Sequence, residues 1–423
     1  MRFPTRLLVL ALLIGTPAPA TLNAQGHAAQ SPTRGAADSI PVAIRWNRLV
    51  PKFADEASAG RRAARTAAAG DSAALRRIAQ TPPPPFLFRV FTLLSVAQYA
   101  AVNSARDNRA ASSDVAVASA SAAVLTELYK DSTVRASIAR ELARDVERAG
   151  TGSRAVTRAN AGRRLGEDVA QRVIAWAPSF AFVGPWNGTI PKGPGMWYSA
   201  PGVPPIGITL ASSRGWLLDS SSQFRPAPPP EFGSSTHRAA LEEVRRVARE
   251  RTPAQTAIAQ KWNALDPWAP WNQTASDALL RHHVSDAEAA RVLAVMNVGA
   301  SDAIIACFDA KYHYWSIRPS QADTTIALAD SVNLPNFPSY PSGHACSAGA
   351  FDAALGHFFP DERAEFTRIA EEQAMSRLYG GIHYRFDNDG GLALGRVVAR
   401  HDAEREQRGG LNAWRAAGVA GKP

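Results

Sequence analysis

Cysteine is almost absent from this chain. Only Cys307 and Cys346 occur in 423 residues, which excludes a disulfide framework even in an oxidising compartment. Both lie in apolar stretches of helical periodicity, where a thiol packs as a small hydrophobe. A single bridge would need their Cα atoms within about 7 Å. Strand-type alternation is nearly absent too, and helical spacing dominates. Blocks of like charge are missing as well. The 47 Lys+Arg exceed the 37 Asp+Glu for a net charge of +10, yet the basic residues are scattered along amphipathic segments. That distribution argues against nucleic acid as a partner and for attraction of small anions. Beyond the N-terminus no segment reads as a bilayer-spanning run.

With 46% hydrophobic and 20% charged residues, the chain has the profile of an ordinary globular protein with a large core, in one large domain or two. Residues 1–24 read as an export signal. Arg2 and Arg6 flank its start, Leu7 to Ile14 is apolar but too short to span a bilayer, and Ala18-Pro19-Ala20 or Leu22-Asn23-Ala24 offers a small-residue cleavage site. An exported, periplasmic or extracellular protein is therefore expected, with no transmembrane segment in the mature chain. Residues 25–85 form an N-terminal extension, with Ala/Arg-rich helix in 43–80 halted by Pro82 to Pro85. Helical spacing marks a first bundle over 86–180, with helices from Phe86 and at about 113–129, 132–149 and 154–177. Residues 181–233 are rich in Pro, Gly and Trp. Their tryptophans favour an ordered wrap over a bare linker, because large apolar side chains in a linker would stay exposed. A second bundle follows over 234–410 and a tail over 411–423. Two capping boxes, at Thr252-Pro253-Ala254-Gln255 and Ser285-Asp286-Ala287-Glu288, start helices. The second leads into a long apolar helix that ends near Lys311. Between them, WNALDPWAPWNQ carries Trp262, Trp268 and Trp271, residues that either pack in the core or wall a pocket.

The chemistry concentrates between Lys311 and Asp387. Lys311 offers a point charge and Arg318 a planar fork, two ways of binding a phosphate-like group. Pro341-Ser342-Gly343-His344 precedes an apolar helical run, so Ser342 and Gly343 sit at a helix N-terminus, where free amides favour an anion. A simple Ser N-cap would explain Ser342 alone. Arg377 precedes His383, and Asp387 follows four positions later, an offset that on a helix sets a carboxylate beside an imidazole to fix one tautomer. Each part taken singly has an ordinary structural explanation; their occurrence together does not.

Lys, six residues, Arg-Pro; then Pro-Ser-Gly-His; then Ser376-Arg377, five residues, His383, three residues, Asp387: this order resembles the three-part signature of the superfamily shared by type 2 phosphatidic acid phosphatases (PAP2), bacterial acid phosphatases and vanadium-dependent haloperoxidases. The resemblance covers about residues 308 to 390. RVFTLLSVAQYAAVNSA more loosely resembles an early helix of secreted haloperoxidase-like proteins. It implies an all-α fold with an oxyanion held by Lys311, Arg318, Arg377, Ser342 and Gly343. His383 would be the sole protein ligand to vanadate, or the covalent nucleophile of a phosphatase that needs no cofactor. His344 would serve as acid–base partner and Asp387 would orient His383. The flanks NFPSYPSGHA and SRLYGGIHYRFD look like the haloperoxidase form, and Phe337 is aromatic as in fungal chloroperoxidases. The substrates implied are hydrogen peroxide and a halide; in the phosphatase alternative, a phosphate ester. A non-catalytic phosphate binder is the third reading.

Overall fold

The amphipathic periodicity becomes a helical stack in a computed structural model that describes residues 40–74, 85–178, 186–200, 202–264 and 266–416. The export-signal segment lies outside the described residues, as do Pro82 to Pro84 and the last seven residues. Among the described residues there is no strand, only an isolated antiparallel bridge between Met196 and Ser316.

Helices α1 (Val42–Ala67), α2 (Leu87–Asp107), α3 (Ser113–Leu128), α4 (Ser132–Arg148) and α5 (Ser153–Trp176) form the N-terminal half. After the wrap come α6 (Ser235–Glu250), α7 (Pro253–Ala264), α8 (Trp268–Arg281), α9 (Asp286–Tyr314), α10 (Gly343–Phe358), α11 (Arg363–Tyr379) and α12 (Arg385–Gln407). The second capping box forms as read: Ser285 Oγ accepts from the Glu288 amide. The helix it starts is long and apolar enough to cross a membrane, but its most apolar window is 89% buried by other helices. It packs against α2, α10 and α12 and serves as the core around which the rest is laid.

From Ile40 onward the chain clusters as one compact unit. Trp46, Val50 and Phe53 of α1, within the stretch read as an extension, belong to the same apolar core as α2, α9 and α10. A buried amide ladder fixes their register: Asn47 donates to Asn272 at 2.9 Å, Asn272 to Asn297 at 3.0 Å and Asn297 to Ser95 at 3.0 Å. The described part of the Pro/Trp-rich stretch is an ordered wrap with Trp197 and Trp216 buried. Asp302 of α9 accepts the amides of Trp216, Leu217 and Leu218 at 2.8, 2.8 and 3.2 Å. Leu411 and Trp414, in the tail, also reach the core.

Helices α10 and α12 approach until their backbones touch. A Cβ at Gly395 would lie 2.0 Å from the Cys346 carbonyl oxygen, and one at Gly349 would lie 2.3 Å from that of Leu392. Only glycine permits this crossing. It sets the start of α10 against the start of α12, where the Ser342 amide donates to the Asp387 carbonyl oxygen at 2.9 Å.

Candidate active site

Lys311 lies in the last turns of α9, which runs to Tyr314 and ends with Trp315 in the left-handed region at φ 50°. Its ammonium is fully buried and donates to the carbonyl oxygens of Pro338 and Ser339 at 2.9 and 2.8 Å. Arg318, in the loop after α9, is equally buried. Its Nε donates to the Phe337 carbonyl at 2.9 Å and its Nη1 to that of Ile382 at 2.8 Å. Arg377, near the end of α11, uses Nε on Ser376 Oγ at 2.9 Å and Nη2 on the Ala259 carbonyl at 3.1 Å. None of the three forms an ion pair with a carboxylate among the described residues.

Burial disfavours the charged form of all three cations. It lowers the Lys311 pKa to about 8, with the Arg318 charge adding to the fall and Asp387 opposing it. Burial lowers both guanidinium groups as well. Three buried positive charges with only neutral hydrogen-bond partners are costly, and an anion among them would lower that cost.

His383 and Asp387 meet, though not as neighbours one turn apart on a helix. His383 sits in the turn before α12 and Asp387 in its first turn. Asp387 Oδ2 accepts His383 Nδ1 at 2.9 Å, the Tyr384 amide at 3.0 Å and Ser339 Oγ at 2.5 Å. The proton on Nδ1 is thereby fixed and Nε2 keeps its lone pair, 3.4 Å from Arg318 Nη1. Burial, then the charges of Arg318, Lys311, Arg377 and His344, hold the His383 pKa well below the usual imidazole value. Asp387 is raised to about 6 by burial, against the opposing pull of Ser339 and Lys311. His344 is likewise held neutral, first by burial and then by Arg377, Lys311 and Arg318. Lys311, Arg318, Arg377, His344 and His383 therefore act on one another within one site. His344 Nε2 donates to the Trp262 carbonyl at 3.1 Å, which leaves Nδ1 as its basic nitrogen.

The donors fit a bound oxyanion. Arg318 Nη2 and Ser342 Oγ are buried with no protein partner, and unpaired buried donors are uncommon. Ser342 occupies the N-cap position of α10 but makes no capping hydrogen bond, so a simple cap does not account for it. A Cβ on Gly343 would meet no atom within 4 Å, leaving room beside the α10 amides. The site opens to a cavity of about 170 Å³ that reaches Gly343, His344 and Phe337.

Residues 290–401 match the PAP2 superfamily model. This stretch belongs to the PAP2 superfamily. The lipid A 1-phosphatase of Rhizobium etli is 44% identical over 59 residues, 14% of this chain and 25% of that protein. The vanadium-dependent bromoperoxidase of Ascophyllum nodosum is 32% identical over 115 residues, 20% of this chain and 21% of that protein. The chain thus spans about a quarter or less of the curated relatives it matches. A crystal structure of a bacterial vanadium-dependent iodoperoxidase superposes with a TM-score of 0.63 at 24% identity, over 76% of this chain and 91% of that one. That likeness shows a shared helical fold extending well beyond the PAP2 segment.

Several contributors to the site were not legible in the sequence. Ser339 holds Asp387, and the carbonyls of Ala259, Trp262, Pro338 and Ile382 position the cations and His344. Carbonyls carry no sequence signal, and Ser339 was only one hydroxyl within NFPSYPSGHA. Of the three tryptophans in WNALDPWAPWNQ, all are buried and Trp268 also lines the cavity. Cys307 and Cys346 are buried free thiols. His313 is exposed and takes no part.

Proposed function

We propose that the chain is a vanadium-dependent haloperoxidase-like enzyme that oxidises a halide with hydrogen peroxide. The observation that carries this reading is the enclosure of the cations. The Phe337 ring lies 5.0 Å from both Lys311 Nζ and Arg318 Cζ, and the cavity beside them holds about 170 Å³. Such a site suits a resident oxyanion and admits peroxide and halide. The fold shared with the iodoperoxidase supports the same assignment.

Vanadate, when bound, would supply Lewis-acid activation of hydrogen peroxide towards the halide. Lys311, Arg318 and Arg377 neutralise the oxyanion charge, while Arg318 Nη2 and Ser342 Oγ donate hydrogen bonds to it. His383 offers Nε2 as the single ligand atom because Asp387 holds the proton on Nδ1. His344, neutral and with Nδ1 basic, takes the proton that an incoming peroxide must lose. Phe337 keeps water from the faces of the two cations. The export signal read in the sequence leads us to propose a periplasmic or extracellular site of action.

The second reading, a PAP2-type phosphatase, is favoured by the match to the Rhizobium phosphatase. In it, His383 Nε2 bonds to phosphorus as the ester oxygen leaves with a proton from His344, and water later cleaves the phosphohistidine. That route needs His344 to start as an acid, whereas burial first, and Arg377 after it, holds it neutral in the anion-free site. Metal-free protein is to be assayed with vanadate, peroxide and bromide for bromination of a bulky phenolsulfonphthalein dye, and without vanadate for aryl phosphate hydrolysis. Vanadate-dependent bromination supports the first reading. Hydrolysis without bromination overturns it in favour of the second, and silence in both with retained phosphate affinity leaves only a binder.

A further inference from the structure

The cavity beside Gly343 and His344 has walls that, Phe337 apart, the anion chemistry does not use. Phe88 and Trp268 stand with ring centroids 5.9 Å apart, and Phe308 and Phe337 form an edge-on pair at 5.3 Å. Ile304 completes an apolar lining around about 170 Å³. Apolar cavities of about 150 Å³ accept benzene, so this one is the size of a single aromatic ring. One acidic residue is part of the lining, Asp266. Asp266 Oδ1 accepts the Trp268 amide at 3.0 Å, and the Leu87 amide also binds the carboxylate. A carboxylate offers about four acceptor sites, so two backbone donors leave capacity for a further donor.

We propose that this cavity is a subsite for one neutral aromatic ring bearing a hydrogen-bond donor, a phenol-class molecule, with the ring between the two aromatic pairs and its O–H donated to Asp266. The inference rests on the haloperoxidase reading and names its organic acceptor. Seated there, the ring forms a carbon–halogen bond with the halogen of hypohalous acid. The ring carbon loses its proton, and that proton leaves with the hydroxide of the acid as water. Regioselectivity follows from the seat, since Asp266 fixes which edge of the ring faces His344.

The test is equilibrium binding of phenol to the metal-free, full-length protein by ligand-observed NMR, with toluene as a ring of similar size that lacks the donor. Phenol is expected to bind about tenfold tighter than toluene, the worth of a hydrogen bond to a charged acceptor. Asp266→Asn, which keeps an acceptor, narrows the gap to a few-fold, and Asp266→Leu closes it. Ile304→Phe fills the cavity and weakens both ligands at least tenfold while leaving phosphate binding intact, which shows that the variant is folded. Equal affinities of phenol and toluene, or an unchanged phenol affinity in Ile304→Phe, overturn the proposal. The bulky dye assay separates the two claims. Bromination without phenol binding removes the subsite alone; phenol binding without bromination keeps the subsite and removes the haloperoxidase reading.

Discussion

Orthophosphate titrated into the anion-free protein between about pH 7 and pH 11 reports on Lys311 directly. The side chain is fully buried, and burial moves its pKa from 10.5 to about 8. The difference is worth roughly 3 kcal/mol at about 1.4 kcal/mol per pH unit. An oxyanion set against the ammonium restores the charged form, so above about pH 8 binding takes up a proton. Through Lys311 alone, affinity is therefore full below pH 8 and falls about tenfold per pH unit until about pH 10.5, a total of roughly 300-fold. Orthophosphate keeps one dominant charge state over this window, and Lys311 is the first of the three cations to give up its proton, ahead of Arg318, lowered to about 9, and Arg377, lowered to about 10. Isothermal titration calorimetry in buffers of different ionisation enthalpy counts the uptake, about one proton near pH 9. Lys311→Met removes the titrating group, flattens the slope and weakens binding at neutral pH by roughly 100-fold. By the same linkage, the anion-free protein gains stability as pH rises from about 8 to 10.5, because the unfolded chain still binds the proton that the folded one has lost. A wild-type affinity flat between about pH 8 and 9, or an unchanged slope there in Lys311→Met, refutes the reasoning.

His383→Ala is expected to reduce turnover by at least about 10³-fold in whichever assay the wild type is active, since Nε2 is the ligand or the nucleophile. Phosphate binding by that variant persists, measured by calorimetry, because the three cations remain. Asp387→Asn frees the His383 tautomer and lowers kcat by about 10²- to 10⁴-fold. The wild-type rate also falls as pH drops through about 6, where Asp387 gains its proton, and Asp387→Asn has no such limb in a pH profile. Asp302→Ala strands three backbone amides of the wrap, at about 1–3 kcal/mol for each group left unsatisfied; a lower Tm and faster proteolysis between residues 205 and 225 are the readouts. Gly395→Ala drives a methyl into the Cys346 carbonyl and costs about 1–3 kcal/mol by denaturant melt, with weaker phosphate binding as α10 shifts from α12.

The all-α class and most of the helices were readable because apolar periodicity and capping boxes act locally. Ser285 to Glu288 and the apolar run behind it gave the start of α9, though not its last turn, which depends on Trp315 adopting the left-handed conformation. The charged members of the site were readable because each is a side chain of distinctive chemistry at fixed spacing. The geometry that joins His383 to Asp387 was not, since it comes from a turn leading into α12 and from Ser339 across a loop. Residues 25–85 read as an extension because Ala and Arg mask a helix face whose few large residues, Trp46 and Phe53, find their partners more than 70 residues away: Trp46 donates to Asp145 and Phe53 packs on Tyr129. Asp266 gave no signal at all, because a cavity wall is assembled only when α2, α8, α9 and α10 have come together.

The most direct test is a crystal structure of the protein grown with orthovanadate, with the metal located by its anomalous signal. The account predicts a single vanadium site bonded to His383 Nε2, its oxygens within hydrogen-bond reach of Lys311, Arg318 Nη2, Ser342 Oγ and Arg377. Vanadium bound elsewhere, or density absent from that cluster at saturating vanadate while all three cations keep their present positions, contradicts it.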